Sequence, residues 1–90
     1  MILNKEKVGS NGVTTNYHLI DTVNVRGNQL RCHLESYVSE EKIAAKKPAN
    51  YYSFCFDVTD AELETNNKPI MQLVIEKIGA LEEWSGVQPV

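Results

Sequence analysis

His18, His33, Cys32 and Cys55 are the side chains of this sequence best suited to hold a metal or move a proton, and their spacing decides whether they can act together. The sequence has neither Cys-X-X-Cys nor His-Glu-X-X-His, the spacings that put two zinc ligands on one side of a turn or helix. Cys32 and His33 are consecutive, so on a strand they point to opposite faces and cannot chelate one ion. A nucleophilic serine would need a base within hydrogen-bond reach, and that depends on how the strands pair.

The pairing follows from a turn. Gly27-Asn28 lies between two alternating stretches, 13–25 and 30–38, and reads as a two-residue type I′ or II′ hairpin loop. Arg26 then faces Gln29, Val25 faces Leu30, Val23 faces Cys32, Leu19 faces Ser36 and Tyr17 faces Val38, which gathers the apolar members of both strands on one face. The other face pairs Asn24 with Arg31, Thr22 with His33, Ile20 with Glu35 and His18 with Tyr37, and is wetter. Asp21 breaks the pattern, because it would sit unpaired on the core face opposite Leu34. A β-bulge near Ile20 and Asp21, turning Ile20 inward, is the expected relief.

In this register no chemical constellation forms. His18 and His33 share the wetter face but stand four positions apart along the ladder, about 13 Å, too far for one zinc. His18 opposite Tyr37 is the pair that most resembles an acid/base couple, and a cross-strand aromatic contact explains it more simply. Ser36 and Ser53 have no adjacent histidine. The cysteines lie on separate predicted strands and read as buried free thiols. There is no Gly-rich loop between strand and helix and no nucleophile elbow. The reading is therefore of no catalytic, metal or cofactor-binding residue.

The elements that would position these residues are legible along the chain. Residues 2–8 form a first strand, and Gly9-Ser10-Asn11-Gly12 is a turn; pairing Val8 with Val13 places Ile2 beside Leu19. Ser39 caps a short helix over about 40–46, with acids first and lysines last, and Pro48 stops it. Residues 51–58 alternate cleanly, with Tyr52, Phe54, Phe56 and Val58 on one face and Tyr51, Ser53, Cys55 and Asp57 on the other. Thr59-Asp60-Ala61-Glu62 is a capping box opening a helix over about 60–65 that Asn66 and Asn67 close. Pro69 starts a longer helix, 69–83, whose stripe of Ile70, Val74, Ile78 and Leu81, widened by Met71 and Ile75, needs a sheet to cover. Gly79 inside it is either a close-packing point or a weakness. The sum is an α+β fold: an antiparallel meander of three to four strands, spanning 1–90 as one domain, with a carboxyl-terminal helix packed on one face and the first and last strands as open edges.

Composition narrows the function classes. Ninety residues, 42% of them hydrophobic, describe one ordinary globular domain that buries modest surface, so pairing with another chain is a natural source of further burial. A formal charge of −3 argues against non-specific nucleic-acid binding, and the Lys42, Lys46 and Lys47 cluster is interleaved with Glu40 and Glu41. No apolar run reaches the length of a membrane span, and no secretory h-region is visible at the start, so a reducing cytoplasm is expected. Tyr37 and Tyr51 sit outward beside polar partners, as interface aromatics do. Trp84 either folds onto the sheet, the favoured reading, or anchors a partner. The candidate partner contacts are His18, Tyr37, Tyr51 and Trp84.

The run Tyr17-His18-Leu19-Ile20, then Leu34-Glu35-Ser36-Tyr37-Val38-Ser39-Glu40-Glu41 and an insert reaching Pro48 before an aromatic strand, resembles small proteins of tailed-bacteriophage or prophage structural gene regions. Phe56-Asp57-Val58-Thr59-Asp60-Ala61-Glu62-Leu63-Glu64, followed by Pro69 and a helix ending near Trp84, resembles their carboxyl ends. The resemblance is one of layout over residues 13–86 and brings no catalytic residue. It implies a non-enzymatic structural or assembly component of a tail or baseplate. Such a protein would be oligomeric, need no cofactor, and sit in a bacterial host's cytoplasm or a virion. An intracellular binding protein that inhibits or adapts a host factor is the alternative.

Overall fold

Gly27 has φ of 59° and Asn28 no positive φ, the type II′ pattern whose twist suits the strands it joins. The computed structural model of the chain describes residues 1–64 and 69–90. From the turn the ladder runs as the alternation predicts, with Arg26 opposite Gln29, Val25 opposite Leu30, Val23 opposite Cys32 and Thr22 opposite His33. The expected bulge is there: the register shifts between Ile20 and Thr22, Asp21 is the extra residue, and Ile20 turns inward opposite Leu34. Asp21 is exposed, so the bulge keeps its carboxylate in water.

The bulge also moves every pair beyond it. Leu19 faces Glu35, not Ser36; His18 faces Ser36, not Tyr37; and Tyr17 faces Tyr37, not Val38. One inserted residue changes the face of everything that precedes it, so His18 belongs to the core face and not to the wetter one.

The strands are β1 (Ile2–Val8), β2 (Thr14–Arg26), β3 (Gln29–Tyr37), β4 (Asn50–Asp57) and β5 (Gln88–Pro89). They form one antiparallel sheet in the order β4-β3-β2-β1-β5, an α+β architecture with helices on its faces. The meander has a fifth strand because the chain end returns to β1, pairing Leu3 with Pro89 and Asn4 with Gln88. The first strand is thus not the open edge that the alternation suggested. Ile2 does pair with Leu19, but a second irregularity between Asn4 and Lys7 puts Val8 against Thr14 instead of Val13.

The helices are shorter than their sequence signals. α1 (Glu40–Ala44) is capped by Ser39 and ends before Lys46, whose φ is 56°. α2 (Asp60–Leu63) carries the full capping box of Thr59 and Glu62. Glu62 also meets Lys77 at 2.8 Å, and this contact, with the capping bond, lowers its carboxyl pKa below the ordinary value. The closure read at Asn66 and Asn67 lies outside the described residues. α3 (Ile70–Gly79) stops at the glycine, and a 3-10 turn, Glu82–Trp84, follows in place of the continuous helix read to residue 83. A Cβ at Gly79 would meet Val87 at ordinary contact distance, so no close neighbour requires the glycine.

The core lies on the sheet face carrying Leu3, Ile20, Leu30, Cys32 and Leu34, covered by Leu73, Val74 and Ile78 of α3 and by Trp84 and Val87. Trp84 is 2% exposed and meets His18, Tyr52 and Phe54 edge-on at 4.8, 5.1 and 5.6 Å between ring centres. From β1, Lys7 lies 4.9 Å above the indole and donates to the Glu83 carbonyl, while Lys5 donates to that of Ser85. Trp84→Ala should cost about 3–5 kcal/mol of folding stability, measured by urea denaturation, whereas a change within experimental error would mean the indole is not a core anchor.

Candidate functional site

The bulge and the β3–β4 register create two histidine–serine pairs, one on each face of the sheet. Neither was expected, since the unbulged register leaves Ser36 and Ser53 without a histidine. On the core face His18 Nδ1 lies 2.6 Å from Ser36 Oγ and His18 Nε2 lies 2.7 Å from the Lys5 carbonyl oxygen. A carbonyl only accepts, so Nε2 carries the proton and donates, and the Ser36 hydroxyl donates to Nδ1. The ring is neutral and both nitrogens are used. Burial lowers the His18 pKa below 6.5; the Lys5 carbonyl works against this and the positive charge of Lys7 adds to it.

This pair has the composition of a nucleophile and a base but not the access. His18 and Ser36 are both 0% exposed, and Trp84 closes over the imidazole. No substrate atom can reach the serine hydroxyl, and its proton is already committed to the ring. The pair is a satisfied polar link inside the core.

The outer face holds the second pair. β4 runs against β3 without a break, from Gln29 opposite Asp57 to Ser36 opposite Asn50, and this sets His33 beside Ser53 with Nδ1 2.7 Å from Oγ. Thr22 stands opposite His33 on its other side and donates to the Asp21 carboxylate at 3.1 Å, so a polar row crosses three strands. Neighbouring rows pair Arg31 with Cys55 and Glu35 with Tyr51. Ser53 and His33 are exposed on the outer face of the sheet, and neither lines the recesses near α1. General-base activation would need a pocket and oxyanion donors arranged around this pair.

The four partner-contact candidates separate. His18 is buried in the core, because the bulge changes its face. Tyr37 is on the outer face as read, yet it is 2% exposed: Tyr17 stands opposite it and α1 packs against β3. Burial and the adjacent Glu35 carboxylate, which accepts from its hydroxyl at 3.3 Å, raise the Tyr37 pKa. Trp84 is core. Tyr51, 71% exposed, remains on the surface. His33 and Ser53 are the residues the sequence reading passed over as a pair; the strict alternation of 51–58 signalled their face, but not which residues of β3 and β4 stand opposite each other. His18 and His33, read as sharing one face, are on opposite faces.

The thiols also divide by face, since Cys32 pairs with Phe54 and Cys55 with Arg31. Cys32 is fully buried, which pushes its pKa up to about 11, and Cys55 is exposed, not buried as read. A maleimide should therefore label Cys55 alone in the native protein and both thiols in denaturant, as counted by intact mass; rapid native labelling of Cys32 would contradict the packing.

Folding holds His18 neutral, so below its ordinary pKa of 6.5 the unfolded chain takes up a proton that the folded chain refuses. Its contribution is complete above that value and is lost as the pH falls from it toward the lowered folded-state pKa. The urea midpoint should drop between about pH 7 and 5, and His18→Asn should flatten this slope while lowering stability at both ends. An unchanged slope in the variant would assign the pH dependence elsewhere.

No helix among the described residues is long and apolar enough to cross a membrane. Compared with known protein families, curated proteins and solved structures, the chain has no match.

Proposed function

We propose that this chain is a non-enzymatic component that works by protein–protein contact, a small structural or assembly part of a phage or prophage particle of the tail or baseplate type. It acts in the cytoplasm of a bacterial host and is incorporated into the virion. The supporting observation is the division of its two faces. The histidine–serine pair that is shielded from water is sealed at 0% exposure, while the accessible face is a polar ladder beside Tyr51. A surface of that kind recognises by complementarity, and its tyrosine offers contact area and a polar tip with little entropy to lose. The resemblance of its sequence layout to phage structural-region proteins supports the setting.

Tagged protein mixed with lysate of phage-producing cells should retain large virion proteins in fixed stoichiometry, and Tyr51→Ala should weaken that retention without lowering the melting temperature. Retention of a single host enzyme or regulator, with no virion protein, would overturn the assembly role in favour of an inhibitor or adaptor.

A further inference from the structure

We infer that β4 pairs antiparallel with β4 of a second copy about a two-fold axis at Phe54, joining two sheets into one. This rests on the proposed protein-contact function and names its first partner. β4 is the terminal strand of the sheet, and no described strand pairs with its outer edge. At the opposite edge the two-residue β5 covers only Leu3 and Asn4 of β1, and the remainder of β1 carries Lys5 and Lys7, the kind of charged side chain that protects an edge. One long open edge closes a dimer and does not propagate a filament.

The hydrogen-bond phase identifies the free groups. Val58 N–H donates to the Asn28 carbonyl at 2.9 Å, continuing the β3–β4 register, and in an antiparallel ladder such pairs alternate. Phe56, Phe54 and Tyr52 therefore turn their backbone groups toward β3. Tyr51, Ser53, Cys55 and Asp57 turn theirs to the open edge.

A two-fold axis perpendicular to the sheet keeps each face on its own side, so outward residues meet outward residues. Only an axis at Phe54 engages all four, setting Tyr51 against the partner copy's Asp57 and Ser53 against its Cys55. An axis at Ser53 or Cys55 leaves one of them unpaired. The strand also lacks the features that protect edges. It has no lysine, no proline and an unbroken register, and its one charge, Asp57, falls against a tyrosine rather than against itself. On the core face the half-buried, stacked rings of Phe54 and Phe56, 5.7 Å apart, would continue across the axis as one aromatic row.

The test is sedimentation equilibrium of the full chain with variants at the exposed Tyr51. Tyr51→Asp places two carboxylates opposite each other at both ends of the paired strands and should raise the dimer dissociation constant roughly ten-fold or more, whereas Tyr51→Lys faces Asp57 and should not weaken the dimer. Directly opposed positions lie about 5.5 Å apart between Cα atoms, within disulfide range. Oxidised Ser53→Cys should therefore crosslink position 53 of one copy to Cys55 of the other, as read by peptide mass. A chain that stays monomeric, a dimer indifferent to Tyr51→Asp, or crosslinks joining like positions would overturn the inference. A monomer that still retains virion proteins would overturn it and leave the proposed function standing. A dimer with this crosslink that retains none would do the reverse.

Discussion

The single residue inserted at Asp21 is the constraint on which the arrangement of this protein depends. Without it, strict alternation from the Gly27 turn would carry the Asp21 carboxylate into the core and put His18 and Ile20 in water. With it, Asp21 is outside, Ile20 packs on Leu34, and His18 enters the core opposite Ser36. Burying an unpaired carboxylate costs several kcal/mol, more than the hydrogen bonds lost at a bulge. The chain therefore takes the local irregularity.

Once inside, His18 needs partners for both ring nitrogens, and each comes from a neighbouring strand: Ser36 from β3 and the Lys5 carbonyl from β1. The ring thereby ties three strands at one level of the sheet. Trp84 seals this link from above, and the lysines of β1 hold the 3-10 turn that carries it. The chain end then returns along β1 and covers the first part of that edge with β5, at Leu3 and Asn4. The bulge, the buried imidazole, the indole and the protected edge form a connected chain of consequences, and they leave β4 as the long open strand.

Much of this was legible in particular residues. Gly27-Asn28 marked the turn, the alternation of Val23, Val25, Leu30 and Cys32 set the register near it, and Asp21 announced the bulge by being a carboxylate at a core position. Tyr52, Phe54 and Phe56 marked the inner face of β4, and Thr59 with Glu62 marked the cap of α2. The candidate site was less legible. His18 and Tyr37 were each read as exposed because the register was carried past the bulge unshifted, and because α1 was not seen as a cover for the outer face. β5 left no signal, since two residues, one of them proline, have no periodicity to detect.

The sequence by itself determined the elements that rest on local chemistry: where strands alternate, where glycine turns the chain, which residues cap helices, and that one face of the sheet would be apolar. Only the tertiary structure decided which side chains meet. Whether His18 is a surface ligand or a core residue depends on the one inserted position, Asp21, which shifts the register of every pair beyond it. Whether β1 or β4 is the open edge depends on where the chain end docks. Both are settled by the joint burial of distant segments, a free energy that no single stretch of residues carries.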